Sequence, residues 1–397
     1  MKDLKDEALA VKDAVIACRR RLHSFAECGF SLPKTISFVK NALQSIGFEP
    51  IECGKGGLIC EIGSVARPKA PAVLLRADMD ALPLKEETNL PFRAENGHMH
   101  ACGHDMHTAM LLGAAAILKK HEGALPVPVR LVFEGAEETL SGAKDLCDAG
   151  VLSGVGAALM LHAVTAVPFP TGTVLFPPSG ISAPAAVFFE IELIGKSAHV
   201  GEESLGADAL SAAVRLYLEV LRAKEEMGED FFLSVGRWTA GDAPNVVPQR
   251  AVLAGSFRTR NEEKLEHFRK RLKELCEKPK DGVTPRLRFQ GGCPPLKSDP
   301  RCISAMNTAL EGAGFAHHKV QEAKGNASED FATFAALCPS VALALAAGEK
   351  GHGYEYPLHH PRVLFDEDAL PIGAAVYALG AFALGDLLQT FTSPSGA

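Results

Sequence analysis

A chain of 397 residues exceeds what one hydrophobic core normally serves, so two domains are expected, and 47% hydrophobic with 22% charged residues points to large buried sheets rather than disorder. A formal net charge of −7 and a pI near 6.1 exclude the basic footprint of a nucleic-acid-binding domain. Ten cysteines lack regular spacing, and the opening MKDLKDEALAVKD lacks the apolar run of a signal peptide, so reduced thiols and a cytoplasmic location are expected.

Along the chain, Arg19, Arg20 and Arg21 read as the solvated face of the first helix. Short apolar runs at Ala72 to Arg76, Val129 to Phe133, Ala157 to Leu161 and Ser340 to Ala346 predict buried parallel strands. Met106 to Lys120 predicts a helix that Asp105 can cap. Strands alternating with helices imply a layered α/β domain. From about Ser182 the pattern changes: strand Val187 to Ile194, helix Gly206 to Met227, strands Phe231 to Thr239 and Ala251 to Thr259, helix Asn261 to Glu277, strand Arg286 to Gln290. That βαββαβ order predicts a four-stranded antiparallel sheet with two helices on one face, a ferredoxin-like α+β unit. It is expected to occupy 183–293 as an insert in a discontinuous domain formed by 1–182 and 294–397. The apolar stretch Ala369 to Leu388 contains Pro371, three glycines and Asp386, and reads as a buried terminal helix, so no membrane partner is expected.

The polar residues gather at the carboxyl ends of the predicted parallel strands, the edge where open α/β sheets bind ligands. Asp78 and Asp80 follow one strand, Glu137 and Glu138 another, and His162 a third. The segment HMHACGHDMHTA, from His98 to Ala109, is the densest run of ligand-capable side chains. Cys102 and His104 flank Gly103, which permits a turn before the helix; a thiolate and an imidazole at a helix N-terminus suit a transition metal. Adjacent glutamates can divide two tasks, one binding metal and the other facing a water as general base. The loop YPLHHP, from Tyr356 to Pro361, offers His359 or His360 to complete a site.

These residues resemble the M20 metallopeptidases, in particular their amidohydrolase branch of aminoacylases, hippurate hydrolases and auxin-conjugate hydrolases. The resemblance runs through RRRLHSF, RADMDALP, HMHACGHDMHTA, GAEE, LHAV, GKSAHVG, NVVP, SFRT, SEDF and LHHP, in the family's order. It implies a zinc-peptidase-like catalytic domain with an inserted lid and dimerisation domain, and hence a homodimer. It also implies a centre of two divalent metal ions per subunit held by Cys102, His104, Glu138, His162 and His359, with Zn²⁺ or Mn²⁺, or else Co²⁺ or Ni²⁺, as the metal. Glu137 becomes the general base that acts on a metal-activated water, and Asp80 orients the ligands or the base from behind. His199 is the histidine offered across the dimer to the substrate carbonyl, while Asn245 and Arg258 hold the substrate's α-carboxylate. The implied activity is amide hydrolysis of N-acyl amino acids, with a dipeptidase or carboxypeptidase acting on short peptides, and a catalytically silent metal-binding relative, as the alternatives. Departures from the family pattern occur at Ala26, at Glu134 and Gly135 before the glutamate pair, and in VGEESLG after His199.

Overall fold

A computed structural model describes residues 4–64, 70–322 and 325–392. In chain order the first half comprises α1 (Leu4–Ala10), α2 (Lys12–Phe25), α3 (Pro33–Ile46), β1 (Ile51–Cys53), β2 (Gly57–Ile62), β3 (Ala72–Asp78), α4 (His104–Lys120), β4 (Val129–Glu134), α5 (Gly142–Asp148), β5 (Val155–Val164) and β6 (Val174–Phe176). Then follow β7 (Ile181–Ala183), β8 (Ala185–Ile194), α6 (Ala209–Glu226), β9 (Phe231–Ala240), β10 (Arg250–Thr259), α7 (Glu262–Cys276) and β11 (Thr284–Cys293). The chain finishes with β12 (Leu296–Lys297), α8 (Pro300–Gly312), β13 (His317–Lys319), α9 (Ala332–Ala335), β14 (Ser340–Ala346) and α10 (Ala369–Thr392).

The described residues form two compact units, one of 4–182, 297–322 and 330–392, the other of Ala183–Leu296 and 325–329. In the first unit the sheet order is β1-β2-β4-β3-β5-β14-β6-β13. Its centre, β4, β3, β5 and β14, is parallel throughout, and all seven residues of β3 are buried, as a strand covered on both faces requires. The carboxyl ends of these strands therefore share one edge. α10 is long and apolar enough to cross a membrane by length and composition, yet 72% of its apolar window is buried within the molecule. It lies against α4 so closely that a Cβ at Gly373 would meet the Met110 sulfur, so that side chain would have to shift.

In the second unit the four antiparallel strands run β11-β8-β10-β9. α6 and α7 cover one face around Phe189, Phe257 and Phe268. Both helices carry side-chain caps: Asp208 accepts from Leu210 N and Ser211 N, and Asn261 accepts from Lys264 N.

Two local expectations fail. Arg19 is not on a solvated face: it is 2% exposed, and its Nε donates to Asp105 Oδ2 at 2.7 Å, whereas Arg20 and Arg21 are exposed. Consecutive helical residues diverge by about 100°, so one member of an arginine run must face inward when its neighbours face water. Asp105 does not cap α4 either. The helix starts at His104 after Gly103 with no side-chain cap, and Asp105 turns away to the buried Arg19 and His23.

Candidate metal centre

Each donor-bearing segment leaves a strand or enters a helix at the shared sheet edge. Asp78 is the last residue of β3, and Asp80 follows in the loop. Beyond β4, Ala136 adopts a left-handed φ of 65°, which turns the chain into the short helical turn Glu137–Thr139. His162 lies near the end of β5. Gly103, with φ of 87°, turns the chain so that Cys102 and His104 both face the edge. His359, also left-handed at φ of 64°, donates its backbone N–H to Ala101 O at 2.9 Å, which ties its loop to the Cys102 loop.

Cys102 is the common member of two donor triplets, one with His104 and His162 and the other with Glu138 and His359; within each triplet the donor atoms lie within 4.8 Å of one another. The Cys102 Sγ to His162 Nε2 distance is 3.5 Å, and His359 Nε2 lies 3.5 Å from Glu138 Oε1. His104 Nε2 is 3.8 Å from Glu138 Oε1 and 3.9 Å from Glu137 Oε2. Asp80 stands behind them: Oδ1 accepts from Glu137 N at 3.0 Å, Oδ2 accepts from Glu138 N at 3.3 Å, and Oδ1 lies 3.5 Å from His104 Nδ1, too poorly placed to satisfy it.

A cation fits these residues on their own evidence. Both ring nitrogens of His104 and Oε1 of Glu138 are buried with no hydrogen-bond partner among the described residues. Buried polar atoms rarely stay unsatisfied, because losing water without replacement costs free energy. Burial, reinforced by the charges of Asp80 and Asp78, pushes the Glu138 carboxyl up to about 7. Burial also lifts the Cys102 thiol well above its ordinary value and, with the neighbouring His107, holds His162 well below its own. A divalent cation inverts that logic by favouring the thiolate, the carboxylate and the neutral ring together.

The second unit holds the other three candidates. His199 is exposed, and its Nδ1 accepts from Gly201 N at 3.1 Å. Asn245 O accepts from Val200 N at 3.3 Å, so these two loops adjoin. Arg258 stands at the far end of β10, where Nη1 donates to Asn326 O at 2.7 Å. Gly195 N donates to Gln249 O, which places the His199 and Asn245 loops at the start of β10. Eight strand residues, roughly 26 Å at the usual rise, separate that end from Arg258. One chain thus brings His199 and Asn245 together and holds Arg258 apart from both.

Behind the donors stand two groups, His107 and Arg76, that the motifs did not single out. His107 is hydrogen-bonded to Asp78, and Arg76 is buried among Asp78, Glu134 and Asp330. The signal was available: an arginine inside the apolar run AVLLRAD must be paired if it is buried.

The family model for peptidase family M20/M25/M40 matches residues 74–381. An N-acetylcysteine deacetylase of Bacillus subtilis is 30% identical over 92% of this chain and 95% of its own. The IAA-amino acid hydrolase ILR1-like 5 of Arabidopsis thaliana is 31% identical over 96% of this chain and 89% of its own. Among solved structures, the Bacillus subtilis YXEP protein, described as a dinuclear metal-binding peptidase of the M20 family, aligns with a TM-score of 0.71 at 29% identity, over 96% of this chain and 99% of that one. With the metal-donor cluster in place and the family model spanning most of the chain, the protein belongs to peptidase family M20/M25/M40.

Proposed function

We propose that this chain is a metal-dependent amidohydrolase that cleaves the amide bond of N-acyl amino acids, with Glu137 as general base. The observation that carries the proposal is the placement of Cys102 in two donor triplets beside the Glu137–Glu138 pair. Cys102, His104, Glu138, His162 and His359 hold two divalent ions, Zn²⁺ or Mn²⁺, with the thiolate favouring Zn²⁺. When bound, the ions supply Lewis-acid polarisation of the carbonyl and a lowered water pKa. Asp80, by accepting both glutamate amides, fixes the turn so that Glu138 serves as a ligand while Glu137 is left to face the water. The Glu137 carboxylate takes the proton of the attacking water and passes it to the leaving amine as the C–N bond breaks.

The first unit contains all five donors and acts as the catalytic domain. The second is a ferredoxin-like lid that pairs two chains into a homodimer. Two features support that role. Leu210, Val214 and Leu218 of α6, spaced four apart, are 38%, 44% and 49% exposed, an apolar stripe of the kind that subunit contacts cover. Moreover, Arg258 cannot share a substrate with the His199 and Asn245 of its own chain, so the partner copy supplies those two: His199 to the carbonyl oxygen, and Asn245, with Arg258, to the α-carboxylate. The ten cysteines, all free, fit a cytoplasmic setting. A peptide substrate is the second reading, favoured by the YXEP protein's description as a peptidase.

The test is Glu137→Gln. It keeps the size and removes the base, so turnover falls by about a hundredfold to ten-thousandfold while bound metal per subunit is unchanged. Near-normal turnover with metal bound would overturn the assignment.

A further inference from the structure

His107 lies one turn beyond His104 on α4, and both of its ring nitrogens are occupied. Nε2 accepts the backbone N–H of Ala163 at 2.7 Å, and Ala163 directly follows His162. An N–H donor facing Nε2 leaves that nitrogen unprotonated, which fixes the proton of the neutral ring on Nδ1. Nδ1 therefore donates to Asp78 Oδ1, at 2.6 Å. Asp78 is itself held in place: its Oδ2 accepts from Arg76 Nη1 at 2.8 Å, and its backbone carbonyl accepts from Thr108 Oγ1 at 2.8 Å. The Asp78 Oδ2 to His104 Nε2 distance is 3.7 Å. The ring centroid of His107 lies 5.3 Å from that of His104 and 4.5 Å from that of His162. Asp78, His104 and His107 also form a donor triplet, but a His107 with both nitrogens engaged has no lone pair to offer a cation.

We propose that His107 is a positioning residue: by bridging the backbone beside His162 to Asp78 from the helix that carries His104, it sets the spacing between those two histidines and so the affinity of the centre for its cations. The proposal rests on the metal-centre reading above. Hydrogen bonds behind metal ligands commonly change affinity by about tenfold to a hundredfold when removed. Of the three elements that meet at His107, α4 and β5 carry the donors His104 and His162, and β3 ends in Asp78, which holds the His107 ring.

The experiment measures cation affinity by chelator competition, and the visible absorption of the Co²⁺-loaded protein, for the parent, His107→Phe, His107→Gln, His107→Asn and Asp78→Asn, each with its metal-free melting temperature. His107→Phe removes both hydrogen bonds and lowers affinity by about tenfold to a hundredfold with a shifted Co²⁺ spectrum. Gln retains an acceptor for Ala163 and Asn a donor for Asp78, so each recovers part of the loss; Asp78→Asn loses affinity as well. Unchanged affinity and spectrum in His107→Phe, in a parent that takes up two cations, overturns the proposal alone. So does a loss of affinity in His107→Phe that merely follows its metal-free melting temperature and that neither Gln nor Asn repairs. A parent that takes up fewer than two cations overturns the metal-centre reading and this proposal with it.

Discussion

Asp105 meets two buried side chains on one carboxylate oxygen: Arg19 Nε at 2.7 Å and His23 Nδ1 at 2.9 Å both reach Oδ2. His23 Nε2 faces Glu86 at 3.1 Å, so its ring is held between two carboxylates directly behind the loop that presents Cys102 and His104. Burial works against a charged ring and Arg19 repels it, but Asp105 and Glu86 outweigh both and raise the His23 pKa above 6.5. The sign follows. A group whose pKa is higher in the folded state contributes stability that is fully present below its unfolded pKa and lost as pH rises through the folded one. His23→Gln is therefore expected to cost about 1.5–3 kcal/mol in mildly acidic buffer, the range for hydrogen bonds to charged groups, and less in alkaline buffer. Denaturant titrations across that pH range check it, and a cost that grows with pH would contradict the account. Neither Arg19 nor Asp105 was legible in this role. A run of arginines reads as solvent-facing, and an aspartate before an apolar stretch reads as a cap, because both readings weigh local sequence alone while the pairing spans 86 residues.

At the scale of elements, the buried strands were the most legible part. β3 and β14 are nearly uninterrupted apolar runs, and such runs have few other places to go in an α/β sheet. β1 and β2, on the antiparallel side of the same sheet, went unread: GLICEI is short, and ladder pairing with β4 rather than pattern makes it a strand. The helices of the second unit were placed within about three residues by their apolar periodicity, while the caps Asp208 and Asn261, which set where they start, went unread. The exposed stripe on α6 was not, since the spacing of apolar residues along a helix cannot tell a face buried in its own chain from one buried by another. The pair Val214→Glu and Leu218→Glu is expected to leave α6 folded and give a monomer in sedimentation. In the proposed dimer, where His199 and Asn245 would reach the partner's substrate, the resulting monomer is expected to retain its metal and lose turnover. A dimer that survives both charges would place the interface elsewhere.

For the molecule as a whole, the change of element order near Ser182 falls where the first compact unit gives way to the second. The clustering of the proposed metal donors was legible only when isolated weak signals were taken together. Glu137 and Glu138 alone are a polar turn, and His162 alone is a core histidine; their strand-end positions give them one address. All five proposed ligands lie in the first unit, so cation binding should stabilise that unit and leave the second unchanged. Calorimetry with and without chelator is expected to lower one transition, by about 2.7 kcal/mol of stability relative to a hundredfold excess of metal over its dissociation constant, and to leave the other in place. Equal shifts in both would contradict a centre confined to the first unit. The central claim is tested most directly by a hydrolysis panel of N-acetyl, N-benzoyl and longer N-acyl amino acids beside matching dipeptides, run on protein of measured metal content. Cleavage of N-acyl amino acids in preference to the dipeptides is expected, and failure of the metal-loaded protein to cleave any member of the panel would contradict an amidohydrolase.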